Sequence, residues 1–311
     1  MLEIAVLIPC HNEEVAIPAV IRGFRLALPS ARIYVYDNNS TDRTRETALA
    51  AGAVLRQEDL QGKGQVVRRM FADIDADIYV LVDGDATYDP CDAPAMVRRL
   101  RDEQLDMVVG MRVSDELAAY RRGHRFGNGL LTALTGYIFG RTFTDMLSGY
   151  RVFSRRFVKS YPAHATGFEV ETELAVYALE QRMPVLEVPT RYISRMDGSE
   201  SKLSTWRDGW RILLTILKLT KNGKPLAFFS AISAMCLALS VALAMPLFAT
   251  YFETGLVPRF PTAILCAALV LLAGSLFVCG LILDTVTLGR REQRRLAYLS
   301  YPPLNNDKAA H

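Results

Sequence analysis

Two carboxylates separated by one glycine, Asp83 and Asp85, directly follow an apolar, β-branched run at 78–82. Such an uninterrupted run predicts a strand buried on both faces. Carboxylates two residues apart just beyond a strand end can face the same crevice, where they could hold a hard cation and, through it, the phosphates of a nucleotide. For this short motif taken alone, a solvated acidic turn is the alternative interpretation.

The elements that must position this pair alternate along the first third of the chain. Strands are predicted at 4–8, 33–37, 53–55, 78–83 and 107–109, and helices at 15–28, 41–51, 63–72 and 93–103, with Gly52 as a helix stop. Strict alternation of strand and helix predicts an α/β fold with a doubly wound, mostly parallel sheet.

Ligands of such sheets bind beyond the carboxyl ends of the strands, where the loops 9–14, 37–42 and 83–85 should meet. Asp37 ends its strand, so its carboxylate could accept a hydrogen bond from a nucleobase or a ribose, while the residues after it are typical of a helix cap. Gly62-Lys63-Gly64 could approach a diphosphate with its backbone and ammonium, although this motif alone has weak specificity.

Two long stretches near the carboxyl end carry no charge. One lies between Lys224 and Glu253 and the other between Arg259 and Asp284, and each exceeds the roughly 20 apolar residues of a membrane-spanning helix. Two transmembrane helices are therefore predicted, at about 226–250 and 262–284. A pair of buried core helices is the alternative.

Flanking charge predicts the orientation of these spans. Lysines precede the first span and arginines follow the second, whereas the connector carries only Glu253 and Arg259. The positive-inside rule then places both ends in the cytosol, as in an integral protein of a bacterial-type inner membrane. The predicted domains are a cytosolic domain at 1–203, an amphipathic juxtamembrane helix at 204–224, a two-helix hairpin at 225–289 and a basic cytosolic tail at 290–311.

The composition of the chain argues against nucleic acid as a binding partner and against a cysteine metal site. The hydrophobic fraction is 50%, and the net charge of +3 is too small and dispersed to predict nucleic-acid binding. The five cysteines lack metal-ligand spacing, which favours free thiols in a reducing compartment. A strand-like run opens the chain, so no cleaved leader is expected.

Several motifs occur together in a diagnostic order. The segments 6–13, 37–42, 62–64 and 83–85 resemble those of the GT-A family 2 glycosyltransferases. Further segments resemble the polyprenyl-phosphate sugar transferases of the dolichyl-phosphate mannose synthase type; they lie at 110–112, 125–128, 145–151, 168–171 and 195–203. The resemblance covers about residues 3 to 205.

The resemblance implies roles for the residues that match. It assigns nucleotide binding to Pro9, His11, Glu13, Asp37, Lys63 and Gly84, with Asp83 and Asp85 as the pair that carries Mg or Mn on the donor diphosphate. The sequence departs from the mannose synthases at two points. Thr87 stands where they usually have Gln, and Asp37-Asn38-Asn39 replaces Asp-Asp-Gly, which leaves the base and the sugar open.

An acceptor phosphate explains the basic residues of the second half. A lipid monophosphate is already an anion, so it can attack the sugar without a general base but must be positioned by cations. The expected cations are Arg112, Arg125, Arg151, Arg195 and Lys202, and Arg125 and Asp145 join the aspartate pair as candidate catalytic residues. Asp145 could act as a base, orient an arginine or cap a loop; of Glu169 and Glu171, one could orient a basic residue.

The predicted activity is inverting transfer of one sugar from a nucleotide donor, UDP-linked hexose or N-acetylhexosamine, to a polyprenyl phosphate at the cytosolic membrane face. Two alternatives remain: a hydroxyl-directed or processive membrane glycosyltransferase, and a non-catalytic nucleotide-binding membrane scaffold. A homo-oligomer is compatible with the sequence, which does not determine the oligomeric state.

Overall fold

A computed structural model describes residues 2–113, 136, 143–167, 169–193, 214, 218 and 220–304. The chain divides into two compact units, one formed by 1–212 together with 293–311 and the other by 213–292. The first unit contains the sheet and the second contains long apolar helices, and each is described by itself.

A seven-stranded sheet organises the first unit, with strand order β3-β2-β1-β4-β6-β5-β7. The strands are β1 (Ile4–Cys10), β2 (Arg32–Asp37), β3 (Val54–Gln57), β4 (Ile78–Leu81), β5 (Met107–Val113), β6 (Arg151–Ser154) and β7 (Val185–Arg191). All neighbouring pairs are parallel except those of β6, which runs antiparallel to both β4 and β5. The predicted α/β class with a mostly parallel sheet is confirmed.

Helices connect and cover these strands. They are α1 (Ile17–Ala27), α2 (Thr44–Ala50), α3 (Lys63–Asp73), α4 (Ala93–Asp102), α5 (Arg155–Ser160) and α6 (Val170–Glu180). The four predicted helices correspond to α1 to α4, within a few residues at each end. Gly52 has φ +83° and its amide donates to the Leu49 carbonyl, so it ends α2 as predicted. Strands β6 and β7 were not predicted; β7 contains Pro189 and lies at an edge, where a missing N–H is tolerated.

The core forms where α1 and α4 pack on β1, β4 and β6. Ile21 and Phe24 of α1 contribute to one buried cluster with Val6 and Val80 of the central strands. The Phe24 ring meets Tyr150 edge-on, with 6.0 Å between centroids. This packing fixes the central strands, and with them the loops at their carboxyl ends.

The last part of the first unit packs near the amino end of β5. Asp106, just before β5, accepts hydrogen bonds from Ser154 Oγ (2.8 Å) and Tyr298 Oη (2.7 Å) and pairs with Arg156 (3.0 Å). The Arg156 guanidinium also lies 4.2 Å from the centre of the Tyr298 ring. Residues 293–304 were expected to belong to a basic tail; here they group with the sheet.

Two long helices, α7 (Pro225–Thr254) and α8 (Phe260–Leu299), form most of the second unit, and the residues of α8 from 293 onward are assigned to the first unit. Both are long and apolar enough to span a membrane. Only 6% of an apolar 18-residue segment of α7, and 17% of the corresponding segment of α8, is buried. The predicted spans lie inside them, although α8 continues as a helix for 15 residues beyond 284, to Leu299. Ser233 and Ser240 of α7 donate to the Ala273 and Cys266 carbonyls of α8 (2.7 and 2.9 Å).

Candidate active site

The buried thiol of Cys10 lies at the carboxyl end of β1, beside Asp37 in the sheet register and against Gly84. Burial raises the pKa of the Cys10 thiol, and the negative charges of Glu13, Asp37, Asp83 and Asp85 raise it further. A Cβ on Gly84 would lie 2.6 Å from Cys10 Sγ, so only glycine permits this close packing. The structure therefore brings the first, second and third predicted loops together.

Hydrogen bonds join the loop after β1 to the loop after β2. The Asn12 amide donates to Ser40 Oγ (2.9 Å), and the Thr41 amide donates to Asn12 Oδ1 (2.8 Å). His11 Nδ1 lies 2.8 Å from the Asn38 carbonyl, to which it must donate. The Glu13 amide donates to Thr44 Oγ1 (2.8 Å). Residues predicted to line the nucleotide pocket thus stabilise its frame through their backbones and rings.

Asp37 is buried at the end of β2 with one carboxylate oxygen unsatisfied. Its Oδ2 accepts from Arg45 Nε (2.6 Å) and, at longer range, from the Ser40 amide (3.3 Å). Its Oδ1 is buried and has no hydrogen-bond partner among the residues that the structure describes. A buried acceptor without a donor is costly, so this oxygen is available to a donor from outside the described part of the chain.

The backbone accounts for the departure at Asn38 and Asn39. Asn38 is buried and donates to the carbonyls of Glu58 and Leu60 (2.7 and 2.9 Å), while its oxygen accepts from the Gly62 amide (2.7 Å). A carboxylate there could not donate those two bonds. Asn39 has φ +60°, a left-handed conformation that glycine and asparagine share.

Asp83 pairs with Lys63 at the start of α3. The Lys63 ammonium contacts both Asp83 Oδ1 and Glu171 Oε1, and its side chain is only 10% exposed. Burial would lower the pKa of Lys63, but the charges and hydrogen bonds of these two carboxylates raise it well above its ordinary value. On the other side, a Cβ on Gly149 would lie 2.4 Å from Asp83 Oδ2. The expected acceptor segment therefore touches the aspartate pair.

Thr87 positions the second aspartate. Its hydroxyl and amide both donate to Asp85 Oδ1, at 2.7 and 3.2 Å, and all three groups are buried. Ala86 between them has φ +57°, an uncommon conformation for alanine that lets the loop turn back on Asp85. The departure at Thr87 thus places a hydroxyl donor on the carboxylate.

The glycines beside Lys63 have a packing role. A Cβ on Gly62 or Gly64 would lie within 2.4 Å of the carbonyl oxygen of Thr166 or Ala165. Two acids anchor that facing loop: Glu173 of α6 accepts from the Ala165 amide (2.6 Å), and Glu169, just before α6, accepts from the Gly167 amide (3.0 Å). The start of α3 is therefore held against a fixed backbone.

Arg112 and Asp145 form a two-pronged ion pair on the acceptor side. Arg112 Nε and Nη2 each lie 2.7 Å from the Asp145 carboxylate, whose residue is anchored through its amide to Glu187 (2.9 Å). Of the roles open to Asp145, the geometry matches that of orienting an arginine.

Burial raises the pKa of the nearby Tyr88 hydroxyl. The positive charge of Arg112 opposes this increase, and the negative charge of Asp83 adds to it. The Tyr88 hydroxyl accepts from the Gly149 amide (2.9 Å), and its ring contacts Tyr192, over which the Arg112 guanidinium lies. Tyr88 therefore links Arg112 to the Asp83 side of the site.

The expected phosphate-binding role of Arg151 is not supported. Its side chain is fully buried in β6. Its guanidinium donates to the carbonyls of Met146 (2.6 Å) and Ser148 (3.0 Å), and burial lowers its pKa. Arg151 shapes the 145–149 turn from inside, out of reach of a lipid phosphate.

Three expected phosphate-binding residues, Arg125, Arg195 and Lys202, lie outside the described residues, as does most of the juxtamembrane segment 204–224. Within the described part, the structure adds Arg45, Tyr88 and Glu171 to the site. The acidic pair before α6 had indicated that one glutamate orients a basic residue, and Glu171 does so. Arg45 and Tyr88 gave no signal, because their roles depend on contacts across the fold.

The aspartate pair fits a hard divalent cation. Carboxylate oxygens are the donors that Mg²⁺ and Mn²⁺ prefer. In the described part of the chain, no group of three or more His, Cys, Asp or Glu residues could hold a metal. Two carboxylates suffice where substrate phosphates and water complete the shell, as is usual for Mg²⁺.

Comparison with known proteins identifies the family of this chain. The family model for glycosyl transferase family 2 matches residues 5–161. Glycosyltransferase AglJ of Haloferax volcanii is 34% identical over 295 residues, which is 94% of this chain and 96% of that protein. A dolichyl-phosphate hexose transferase of the same organism is 28% identical over 218 residues, covering 70% of this chain and 93% of its own length.

Among solved structures, glucosyl-3-phosphoglycerate synthase from Mycobacterium tuberculosis, crystallised with Mn²⁺, UDP-glucose and glycerol 3-phosphate, shares the fold. It has a TM-score of 0.57 and 25% identity and covers 71% of this chain and 79% of its own. The family match spans about half of the chain and one relative matches nearly all of it. The chain therefore belongs to glycosyl transferase family 2 and is a glycosyltransferase.

Proposed function

We propose that this glycosyltransferase moves one sugar, with inversion, from a UDP-linked hexose or N-acetylhexosamine to the phosphate of a polyprenyl phosphate. The supporting observation is that Asp83 and Asp85 follow β4 and the Arg112–Asp145 ion pair lies at the same edge of the sheet. Tyr88 connects the two, because its hydroxyl accepts from the Gly149 amide beside Asp83 and its ring contacts Tyr192, over which the Arg112 guanidinium lies. Carboxylates for a cation and a guanidinium for a phosphate are what transfer between a diphosphate donor and an anionic acceptor requires.

Asp37 would bind the base or ribose of the donor. Its buried Oδ1 lacks a donor in the described part of the chain and can accept one from the nucleotide. Pro9, His11, Glu13 and Gly84 would complete the pocket wall. The UDP-glucose bound by the structural neighbour agrees with a uridine donor.

Asp83 and Asp85 would hold Mg²⁺ or Mn²⁺ on the donor diphosphate. Such a cation, when bound, neutralises the charge that the leaving diphosphate gains. Thr87 keeps Asp85 in one orientation, and Lys63 adds a second positive charge beside Asp83. The neighbour crystallised with Mn²⁺ supports this use of the pair.

A phosphate acceptor fits the acceptor side better than a hydroxyl. A hydroxyl acceptor needs a general base, whereas the Asp145 carboxylate is engaged by both prongs of Arg112. Arg112, together with Arg125, Arg195 and Lys202, would position an anion that needs no deprotonation. The relative named as a dolichyl-phosphate hexose transferase agrees with a lipid phosphate.

The two apolar helices support a membrane location, and the basic residues around them support a cytosolic catalytic domain. In this arrangement 1–203 is the catalytic domain, 204–224 lies in the headgroup layer and 225–289 anchors the enzyme. A lipid acceptor would then be presented at the same membrane face.

The direct test incubates the purified full chain with labelled UDP-glucose, UDP-N-acetylglucosamine or GDP-mannose, Mg²⁺ or Mn²⁺, and undecaprenyl phosphate. We expect a chloroform-extractable sugar lipid with a UDP donor, and none after chelation of the cation. A parallel arm replaces the lipid with glycerol 3-phosphate. Sugar transfer only to the soluble acceptor, or to no acceptor, would refute the lipid assignment.

A further inference from the structure

Lys63 is a buried cation between two carboxylates that have different surroundings. Its ammonium contacts Asp83 and Glu171. The Asp83 side chain is 28% exposed, whereas that of Glu171 is only 7% exposed. One partner of the lysine is thus accessible to a ligand from solvent, and the other is enclosed by the protein.

The backbone of Lys63 is held in place, so it cannot move if a bound cation draws Asp83 away. Gly62 and Gly64 on either side pack against the carbonyls of Thr166 and Ala165, which glutamates in and just before α6 anchor. The four-carbon stem of lysine is flexible and its ammonium is a compact point charge. Any response to a new charge at Asp83 is therefore confined to the ammonium.

We propose that Lys63 is the resident counter-ion of Asp83 and competes with the divalent cation for this carboxylate, while Glu171 holds the ammonium once Asp83 is occupied. The proposal rests on the proposed function only in taking Asp83 as a cation ligand. In the cation-free enzyme the lysine neutralises an aspartate that would otherwise repel Asp85 and Glu171. With the cation bound, the ammonium stays beside the donor phosphates, paired with Glu171.

This competition predicts opposite effects for substitutions of Lys63 and of Glu171, its second carboxylate partner. Removal of the ammonium in Lys63→Met leaves Asp83 available, so the cation should bind more tightly. In Glu171→Gln the ammonium has no second carboxylate to move to, so the cation must break the Lys63–Asp83 pair without compensation and should bind more weakly. Glu180→Gln is the matched control, because it removes an equally enclosed carboxylate from the far end of the same helix, where it pairs with Arg294 and not with Lys63.

The experiment measures Mn²⁺ binding to the full chain in detergent by electron paramagnetic resonance of free Mn²⁺, without donor or acceptor. Relative to the wild type, we expect Lys63→Met to lower the Kd about tenfold, Glu171→Gln to raise it several-fold, and Glu180→Gln to change it less than about twofold. The double variant Lys63→Met/Glu171→Gln should keep the tighter binding, since the gain comes from release of Asp83.

The outcomes separate this proposal from the proposed function. A wild type that binds no Mn²⁺ would refute the cation site itself and the competition with it. A wild type that binds Mn²⁺, with Lys63→Met unchanged or weaker, would refute the competition alone. A gain in Lys63→Met that disappears in the double variant would also refute it, because Glu171 would then have become a ligand.

Folding is checked on the same samples. Tight Mn²⁺ binding stabilises the folded state, so saturating Mn²⁺ should raise the thermal midpoint of Lys63→Met more than that of the wild type. An equal or smaller increase would contradict tighter binding, whether or not the variant is less stable without the cation.

Discussion

Two buried aspartates at strand ends, Asp37 as the last residue of β2 and Asp106 just before β5, differ in how many of their carboxylate oxygens accept hydrogen bonds. Asp106 accepts from Ser154, Arg156 and Tyr298, so both of its oxygens have partners. Asp37 has Arg45 and the Ser40 amide on one oxygen and, within the described part of the chain, no partner on the other. The described residues satisfy both oxygens of Asp106 but only one of Asp37, which is the oxygen that we propose binds the donor.

The difference follows the direction of the strands. Asp37 lies at the carboxyl end of β2, where the loops after parallel strands converge and ligands bind. Asp106 lies at the amino end of β5, where residues 293–304 return to the sheet. Burial alone therefore does not identify a functional acid. The number of donors on each oxygen separates a structural carboxylate from a binding one.

The largest effect is expected at the carboxyl edge, in Asp85→Ala. Loss of a cation ligand should lower the rate of sugar transfer about a thousandfold, because the leaving diphosphate loses its neutralising charge. The measurement is transfer of labelled sugar at saturating cation. Asp89→Ala is the control, since Asp89 lies four residues after Asp85 and its side chain accepts from the Cys91 amide. Turnover retained in Asp85→Ala would remove this residue from the cation site.

The corresponding change at the amino edge, Asp106→Ala, should reduce stability instead. It leaves the largely buried Arg156 without its carboxylate, at a cost of about 3 kcal/mol in the free energy of unfolding. Tyr298→Phe removes one hydrogen bond and should cost about 1 kcal/mol. Denaturant titration measures both, and UDP affinity of the folded protein should not change. Weaker UDP binding in either variant would contradict the structural role.

Asp37→Asn should give the reverse pattern. The charge-assisted hydrogen bond to the nucleotide is lost, which should weaken UDP binding about tenfold to a hundredfold. The Oδ1 atom has no partner among the described residues, and the Arg45 side chain is 39% exposed, so unfolding should change by less than about 1 kcal/mol. Calorimetry with UDP checks the first expectation and thermal unfolding the second. A large loss of stability with unchanged UDP affinity would show that Asp37 has a structural role, as Asp106 does.

The smallest effect is expected at Thr87. Thr87→Val keeps the shape but removes the hydroxyl that donates to Asp85, so transfer should slow about fivefold through a less well oriented carboxylate. Thr87→Ser, which restores the donor, should recover most of the rate. The comparison is made at several Mn²⁺ concentrations, and a rate in Thr87→Val equal to the wild type at all of them would exclude a positioning role.

Much of the architecture could be predicted from local patterns. Alternating strand and helix signals located β1 to β5 and α1 to α4, because hydrophobic period and turn residues act over short distances. Strands β6 and β7 were missed. β6 has only four residues and begins with a buried arginine, and β7 contains a proline, so neither has the usual strand composition.

The sequence by itself determined the fold class, the two long apolar helices and the set of polar residues that reach the carboxyl edge. These features depend on residue type, spacing and order, which the chain carries locally. It also supplied Asp83 and Asp85 as a pair, since both follow one strand.

Only the tertiary structure decided which charges meet. It turned Arg151 into the interior, paired Arg112 with Asp145, placed Lys63 between Asp83 and Glu171, and left one oxygen of Asp37 without a donor in the part of the chain that it describes. Partners of this kind lie up to about a hundred residues apart, and their pairing depends on how strands and loops are stacked in space. An arginine that binds a phosphate and one that braces a turn have the same letter in the sequence, and burial and hydrogen-bond partners distinguish them.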